Sequence, residues 1–269
     1  MLRYDAAWLI EQYADEPLAA PGIPYTLLGE SGPYRMLLED APYRLTPAVD
    51  INPHLPYDET VVRLARYDSG NLWVQPCPYS DGVKSNYAMD GPGELRETLR
   101  AQYGRRLPPL DDGRLSNGIG TAIVVFDAAN RPYLPRRAPS QSVFPGGYHC
   151  TASGEAVWRE GILDFDSLFT ENICGELEEE VGLTRADLER IRPVAFCREF
   201  LRGGKPQFFF AARTALSDVE LQWRRRAAIA AQLAQGRQEV LDDVLLDFDP
   251  ACCTIECVAN LALARHCNA

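Results

Sequence analysis

Residues 154–183 read GEAVWREGILDFDSLFTENICGELEEEVGL, and the closing nine, Gly175 to Leu183, decide how the chain is organised around them. Ile173, Leu177 and Val181 recur at i, i+4 and i+8, the spacing of an apolar stripe along one side of a helix. Glu176, Glu179 and Glu180 are related by i+3 and i+4, so the same helix gathers three carboxylates on another face. Gly182 suits a left-handed cap that ends the helix. A helix that buries one side and concentrates negative charge on the other can seat a hard divalent cation, since Mg²⁺ takes oxygen ligands and shares itself with substrate phosphates. A solvated acidic helix face is the plainer reading of three glutamates alone.

Outward from this helix, the order of elements is that of a mixed α/β chain. Ile119–Phe126 (IGTAIVVF) is a continuous apolar run suited to a strand buried on both faces. Asp127–Asn130 reads as a turn. Arg131–Arg137 reads as a second strand made irregular by Pro132 and Pro135. Pro145-Gly146-Gly147 punctuates the loop before Tyr148–Ser153. Ile191–Phe200 and Gln207–Arg213 follow as strands around Arg202–Lys205. Ser217 and Glu220 form a capping-box pattern for a helix that ends near Gly236, and Cys252–His266 reads as a closing helix. Upstream, residues 60–78 read as two strands joined at Asp68-Ser69-Gly70, and residues 93–103 as a short helix. The polar, Pro- and Gly-rich stretch 105–118 is taken as a linker. The expected division is a small N-terminal α+β module over 1–110 and a catalytic domain over 111–269.

Composition narrows the function. The chain has 269 residues, 46% of them hydrophobic, and a formal net charge of −11. That balance argues against nucleic acid as a partner, because phosphate-backbone binding needs concentrated positive charge. No segment approaches the roughly 20 apolar residues of a membrane span, and the first residues lack a secretory pattern. The eight scattered cysteines contain no CxxC pair and suit a reduced, cytoplasmic protein. Cys253, Cys257 and His266 match no standard zinc spacing.

With Gly154 and Glu160 as an opening G-x5-E and Glu176–Leu183 as a closing E-U-x-E-E-x-G-U (U a bulky aliphatic), the stretch resembles the signature of the Nudix hydrolase superfamily. The resemblance covers about residues 115–267. It implies a Nudix-type α/β/α sandwich with a mixed sheet, and a Mg²⁺- or Mn²⁺-dependent diphosphatase acting on a small-molecule nucleoside diphosphate derivative. Glu176, Glu179 and Glu180 would then be metal ligands and catalytic groups, with Glu160 ligating directly or through water. A further base would come from Glu239 or Glu199. Arg137, Arg198 and Lys205 would meet phosphates unless they are plain surface charges. Tyr148 and Phe144 would stack a base or sugar unless they pack in the core.

Two departures stand out. The spacer between Glu160 and Gly175 is twice the family's seven residues, with Asp164 or Asp166 placed to cap the lengthened segment. Gly175 stands where the family has an arginine, and another cation, from Arg159, Arg198 or Arg202, must offset the loss. Upstream, Tyr79-x-Asp81-x3-Ser85-Asn86 is similar to a stretch in a divergent branch that hydrolyses UDP-sugars, which brings in a nucleotide sugar as substrate. The missing arginine also motivates a different reading, a Nudix-fold nucleotide-binding or regulatory module without turnover. Oligomeric state, including a homodimer, is left open.

Overall fold

A computed structural model describes residues 26–29, 58–68, 71–89, 94–141 and 145–266, with the backbone alone at 26–29, 265 and 266. The strands are β1 (Thr26–Gly29), β2 (Thr60–Asp68), β3 (Asn71–Pro78), β4 (Gly120–Phe126), β5 (Leu134–Arg137), β6 (Ala152–Glu155), β7 (Arg190–Glu199), β8 (Lys205–Arg213) and β9 (Val240–Leu245). The helices are α1 (Tyr79–Lys84), α2 (Leu95–Tyr103), α3 (Glu171–Val181), α4 (Asp218–Ala234) and α5 (Ile255–His266).

The central sheet runs β6-β4-β8-β7 and is mixed: β4 is parallel to β8, while β6 and β7 pair antiparallel at the edges. Period-2 alternation sorts its side chains onto two faces. Ile123, Val125, Phe208 and Phe210 pack with Ile173, Leu177 and Val181 of α3 and Leu221 of α4. Ala122, Val124, Phe209 and Ala211 pack with Ile255, Val258, Ala259 and Leu261 of α5. The result is the mixed α/β/α sandwich expected of a Nudix-type fold. It explains why β4 reads as a continuous apolar run, since every residue in it is buried.

The lengthened spacer is absorbed before α3. Asp164 accepts from the Ser167 amide at 2.9 Å, and a π-helical turn over Asp166–Thr170 runs directly into α3. Phe165 and Phe169 anchor this turn, with ring centroids 5.1 and 4.9 Å from that of Phe208. α3 ends at Gly182 with φ 71°, and a Cβ there would lie 2.7 Å from the Arg224 carbonyl oxygen, so both conformation and space require glycine. α4 begins with the capping box at Ser217 and Glu220.

β2 and β3 form the antiparallel pair read from residues 60–78, with Asp68 opposite Asn71. The turn residues 69–70 lie outside the described residues. β5 is shorter than Arg131–Arg137, carries a register shift between Pro135 and Arg137, and pairs with β9, a strand that the sequence reading did not include. The apolar core does not break near residue 110: Val62, Leu64, Leu72 and Val74 belong to the same cluster as Ile119, Ile123 and Phe208. Backbone hydrogen bonds from Val62 to Ala156, Ile119 to Val62 and Trp158 to Thr60 stitch β2 to the chain around β4 and β6. No described helix is long and apolar enough to cross a membrane.

Candidate active site

A cleft of about 590 Å³ opens between one face of α3 and the starts of β4 and β8. α3 contributes Glu171, Asn172, Gly175, Glu176 and Glu179 to its lining, which is the acidic face that the i, i+3, i+4 spacing selects. Glu176 is placed by a glycine. A Cβ on Gly154 of β6 would stand 1.9 Å from Glu176 Oε1, so the carboxyl lies directly over the strand where a side chain is missing. This gives the G-x5-E glycine a physical reason: it is the floor beneath the glutamate.

Glu180 sits deeper, 3% exposed, and accepts from the Ser153 amide at 3.5 Å. Burial, then the charges of Glu239 and Glu176, push its carboxyl well above the usual carboxylate range. Glu176 is pushed up to about 8, again chiefly by burial, with Glu239, Glu179 and Glu59 adding to the shift. Glu239 also lines the cleft and is raised by burial, although Arg237 and Arg137 oppose the rise. Carboxylates held together this way favour a cation or a proton among them.

Of the residues read from sequence, Glu176, Glu179, Glu239, Arg137, Lys205 and the offsetting-cation candidates Arg159 and Arg202 line the cleft, and Glu180 stands behind Glu176. Glu160, Arg198 and Tyr148 are not brought there. Glu160 is exposed and accepts from the Trp158 indole at 3.2 Å, because β2 captures residues 156–158 and leads the chain away. Arg198 donates to the Gly204 and Pro108 carbonyls at 3.0 and 2.6 Å. Tyr148 donates to Asp243 at 2.9 Å on β9. Glu199 is fully buried beside Arg202 and outside the lining. Phe144 lies outside the described residues.

Glu155, Gln207, Tyr87 and Arg237 escaped the sequence reading, whereas Tyr79 and Arg202, which it names, reach the cleft with them. Glu155 follows the floor glycine, accepts from the Tyr87 hydroxyl at 2.5 Å and meets Lys205 Nζ at 3.5 Å. Gln207 reaches the cleft two residues after Lys205, the period that keeps both on one face of β8. Tyr79 and Tyr87 enter from the N-terminal chain, their ring centroids 6.2 Å apart. Arg202 pairs with Glu256 of α5 at 2.9 Å and lies 4.9 Å from the Tyr87 ring. Arg237 bridges Glu179 at 3.0 Å and Glu239 at 3.3 Å. The i, i+2 relation of Arg237 to Glu239 was the one signal available for it.

Position 175, where the Nudix signature would place an arginine, faces open space: a Cβ there meets nothing within 4 Å. Among the described residues, the α3 carboxylates pair instead with Arg237, at 3.0 Å from Glu179, and with Arg159, at 3.0 Å from Glu171. Because an exposed glycine inside a helix costs about 0.5–1 kcal/mol relative to alanine, Gly175→Ala is expected to stabilise the fold by that amount. Denaturant unfolding measures it, and an unchanged or lowered midpoint contradicts the assignment of this residue as sterically free.

No family model matches the chain, and no curated protein matches it. Among solved structures it is similar to DR0079 from Deinococcus radiodurans, with 17% identity over 56% of this chain and 83% of that one, at a TM-score of 0.32. It is also similar to a MutT protein from Methanosarcina mazei Go1, with 16% identity over 38% and 66% of the two chains, at a TM-score of 0.28. At these scores the similarity says nothing of the activity.

The donor set fits a hard cation, being all carboxylate oxygen around a cleft whose Glu155 Oε2 is buried without a hydrogen-bond partner. Among the described residues no three His, Cys, Asp or Glu side chains are drawn together closely enough to hold an ion directly.

Proposed function

We propose that this chain is a Nudix-type, metal-dependent pyrophosphohydrolase that cleaves the diphosphate of a nucleoside diphosphate derivative, with a nucleotide sugar as the preferred class. The observation that carries this reading is the seating of Glu176 over Gly154, with Glu180 and Glu239 electrostatically coupled to it. An acidic stripe that merely faced solvent would have no reason to lie against a strand glycine, or to stay ionisable while half-buried.

The cleft lining carries seven glutamates against five cations, Arg137, Arg159, Arg202, Lys205 and Arg237. A diphosphate entering alone would meet net repulsion, so a divalent cation must accompany it. Glu176, Glu179 and Glu180 are the residues that would hold Mg²⁺ or Mn²⁺, whose chemistry there would be to neutralise phosphate charge and acidify a bound water. Glu239 accepts the proton of the attacking water. Burial raises its carboxyl, and a raised carboxylate is a stronger base. Arg137 donates to Ser153 Oγ and Gln141 Oε1, and its buried Nε has no hydrogen-bond partner, leaving it placed for a phosphate oxygen. Lys205 supplies a second, almost fully buried cation at the far end of the cleft.

The test is a panel of nucleoside diphosphate sugars, dinucleoside polyphosphates and nucleoside triphosphates incubated with Mg²⁺ or Mn²⁺, with products resolved by chromatography. Nucleoside monophosphate should appear from at least the sugar nucleotides, and only with metal. No monophosphate from any compound overturns the enzymatic reading. Tight calorimetric binding without product would then favour a regulatory module.

A further inference from the structure

The Tyr79-x-Asp81-x3-Ser85-Asn86 stretch is only partly absorbed by the cleft. Tyr79 lines it, but Asn86 is 1% exposed and does not. Its side chain joins three separate segments. Asn86 Oδ1 accepts from the Asn117 amide at 2.8 Å and from Ser116 Oγ at 3.1 Å, while Nδ2 donates to the Arg202 carbonyl at 2.8 Å. Ser85 supports the same junction, since its hydroxyl accepts from the Ser116 amide at 3.1 Å.

The carbonyl that Asn86 holds belongs to the turn between β7 and β8, residues Phe200–Arg202, from which Arg202 reaches the cleft and β8 begins at Lys205. Other upstream residues grip the same turn. Arg96 donates to the Leu201 carbonyl, and Pro108 receives Arg198, which also holds the Gly204 carbonyl. Met89 packs so close to Gly203 that a Cβ there would stand 2.9 Å from its sulfur. Three consecutive residues of the turn, 201 to 203, are thus fixed by chain that precedes residue 97. The acidic end of the cleft, by contrast, is built on α3, β6 and the segment before β9, none of which Asn86 touches.

We propose that Asn86 is a positioning residue: it fixes the β7–β8 turn so that Arg202 and Lys205 meet the substrate, and thereby makes the N-terminal module set affinity at the cationic end of the cleft. This rests on the diphosphate reading of the cleft. A buried amide whose donor and acceptor are both met is costly to disturb, since an unmet buried polar group forfeits its hydration without replacement. The loss is local because only the Nδ2 bond ends on the β7–β8 turn, while the Oδ1 bonds end on Ser116 and Asn117.

Asn86→Asp tests it. The aspartate keeps both acceptor bonds and turns the donor to Arg202 into a repulsion, with no change of volume. Three readouts on the full chain separate the outcomes: hydrogen exchange of the Leu201–Lys205 amides, calorimetric affinity for UDP with Mg²⁺, and the rise in melting temperature on adding Mn²⁺ alone. Exchange should quicken in the turn and not in α3, the UDP dissociation constant should rise about tenfold, equivalent to about 1.4 kcal/mol, and the Mn²⁺ shift should persist. In turnover the change should fall in KM, with kcat held. Unchanged UDP affinity, equal loss of the Mn²⁺ shift, or no UDP binding by the natural protein each overturns the proposal. Should Asn86→Asp fail to fold, Arg96→Met removes the neighbouring grip and is judged by the same three measurements. If the natural protein binds UDP yet hydrolyses nothing in the panel, the enzymatic reading fails while the positioning role is still decided.

Discussion

Replacing Glu176 by Gln is expected to lower kcat/KM by about 10²–10⁴-fold, the range that removal of a group central to proton transfer or charge stabilisation produces. The substitution keeps the shape over Gly154 and removes the charge, so the fold has no reason to suffer. Burial and the neighbouring carboxylates raise Glu176 to about 8, which means that charge is costly at this place and that glutamine relieves the cost. Stability without metal is therefore expected to hold or rise, while the stabilisation given by added Mn²⁺ shrinks. Steady-state kinetics and melting curves with and without Mn²⁺ measure both. Activity within threefold of the natural protein would remove Glu176 from the machinery.

The second large effect is expected from the smallest change. Gly154→Ala adds one methyl group at a point 1.9 Å from Glu176 Oε1 and 2.3 Å from its carboxyl carbon. No heavy atoms approach that closely, so either the carboxylate leaves its seat or β6 shifts. Overpacking of this kind costs about 1–3 kcal/mol, and a catalytic group displaced by an ångström loses about 10²-fold in rate. The expected outcome is a loss of activity of at least that order with a modest drop in melting temperature. Comparison with Gly175→Ala makes the point sharply, because the two glycines lie on facing elements and only one has a carboxylate above it. Full activity in Gly154→Ala would show that the close approach is not required.

What was legible in the sequence was local and periodic. Ile173, Leu177 and Val181 announced the buried stripe of α3, Ser217 and Glu220 its neighbour's start, and Ile119–Phe126 a strand covered on both faces. Each of these depends on residues within a few positions of one another. Glu176, Glu179 and Arg137 reached the cleft for the same reason. Glu160 did not, because the path after Glu155 is set by pairing with β2, almost a hundred residues upstream. Arg198 and Tyr148 were drawn elsewhere by Pro108 and Asp243, partners 90 and 95 residues away. Tyr87 and Arg237 went unread for the converse reason: nothing near them in sequence marks a surface that forms only when distant segments meet. Asn86 was noticed as part of a pattern, but its work is visible only where residues 86, 117 and 202 come together.

The shared interior of β2, β3 and the central sheet bears on how such a protein could be re-engineered. A lid joined to an enzyme by surface contacts can be exchanged by matching those contacts. Here Val62, Leu64, Leu72 and Val74 supply part of the packing on which Ile123 and Phe208 rest. A foreign N-terminal segment would have to reproduce an inside as well as an outside. The transplantable unit is therefore the chain from β2 onward, and recombination between relatives should tolerate crossovers at the exposed Asp58 and Glu59, just before β2, far better than at the polar stretch before β4.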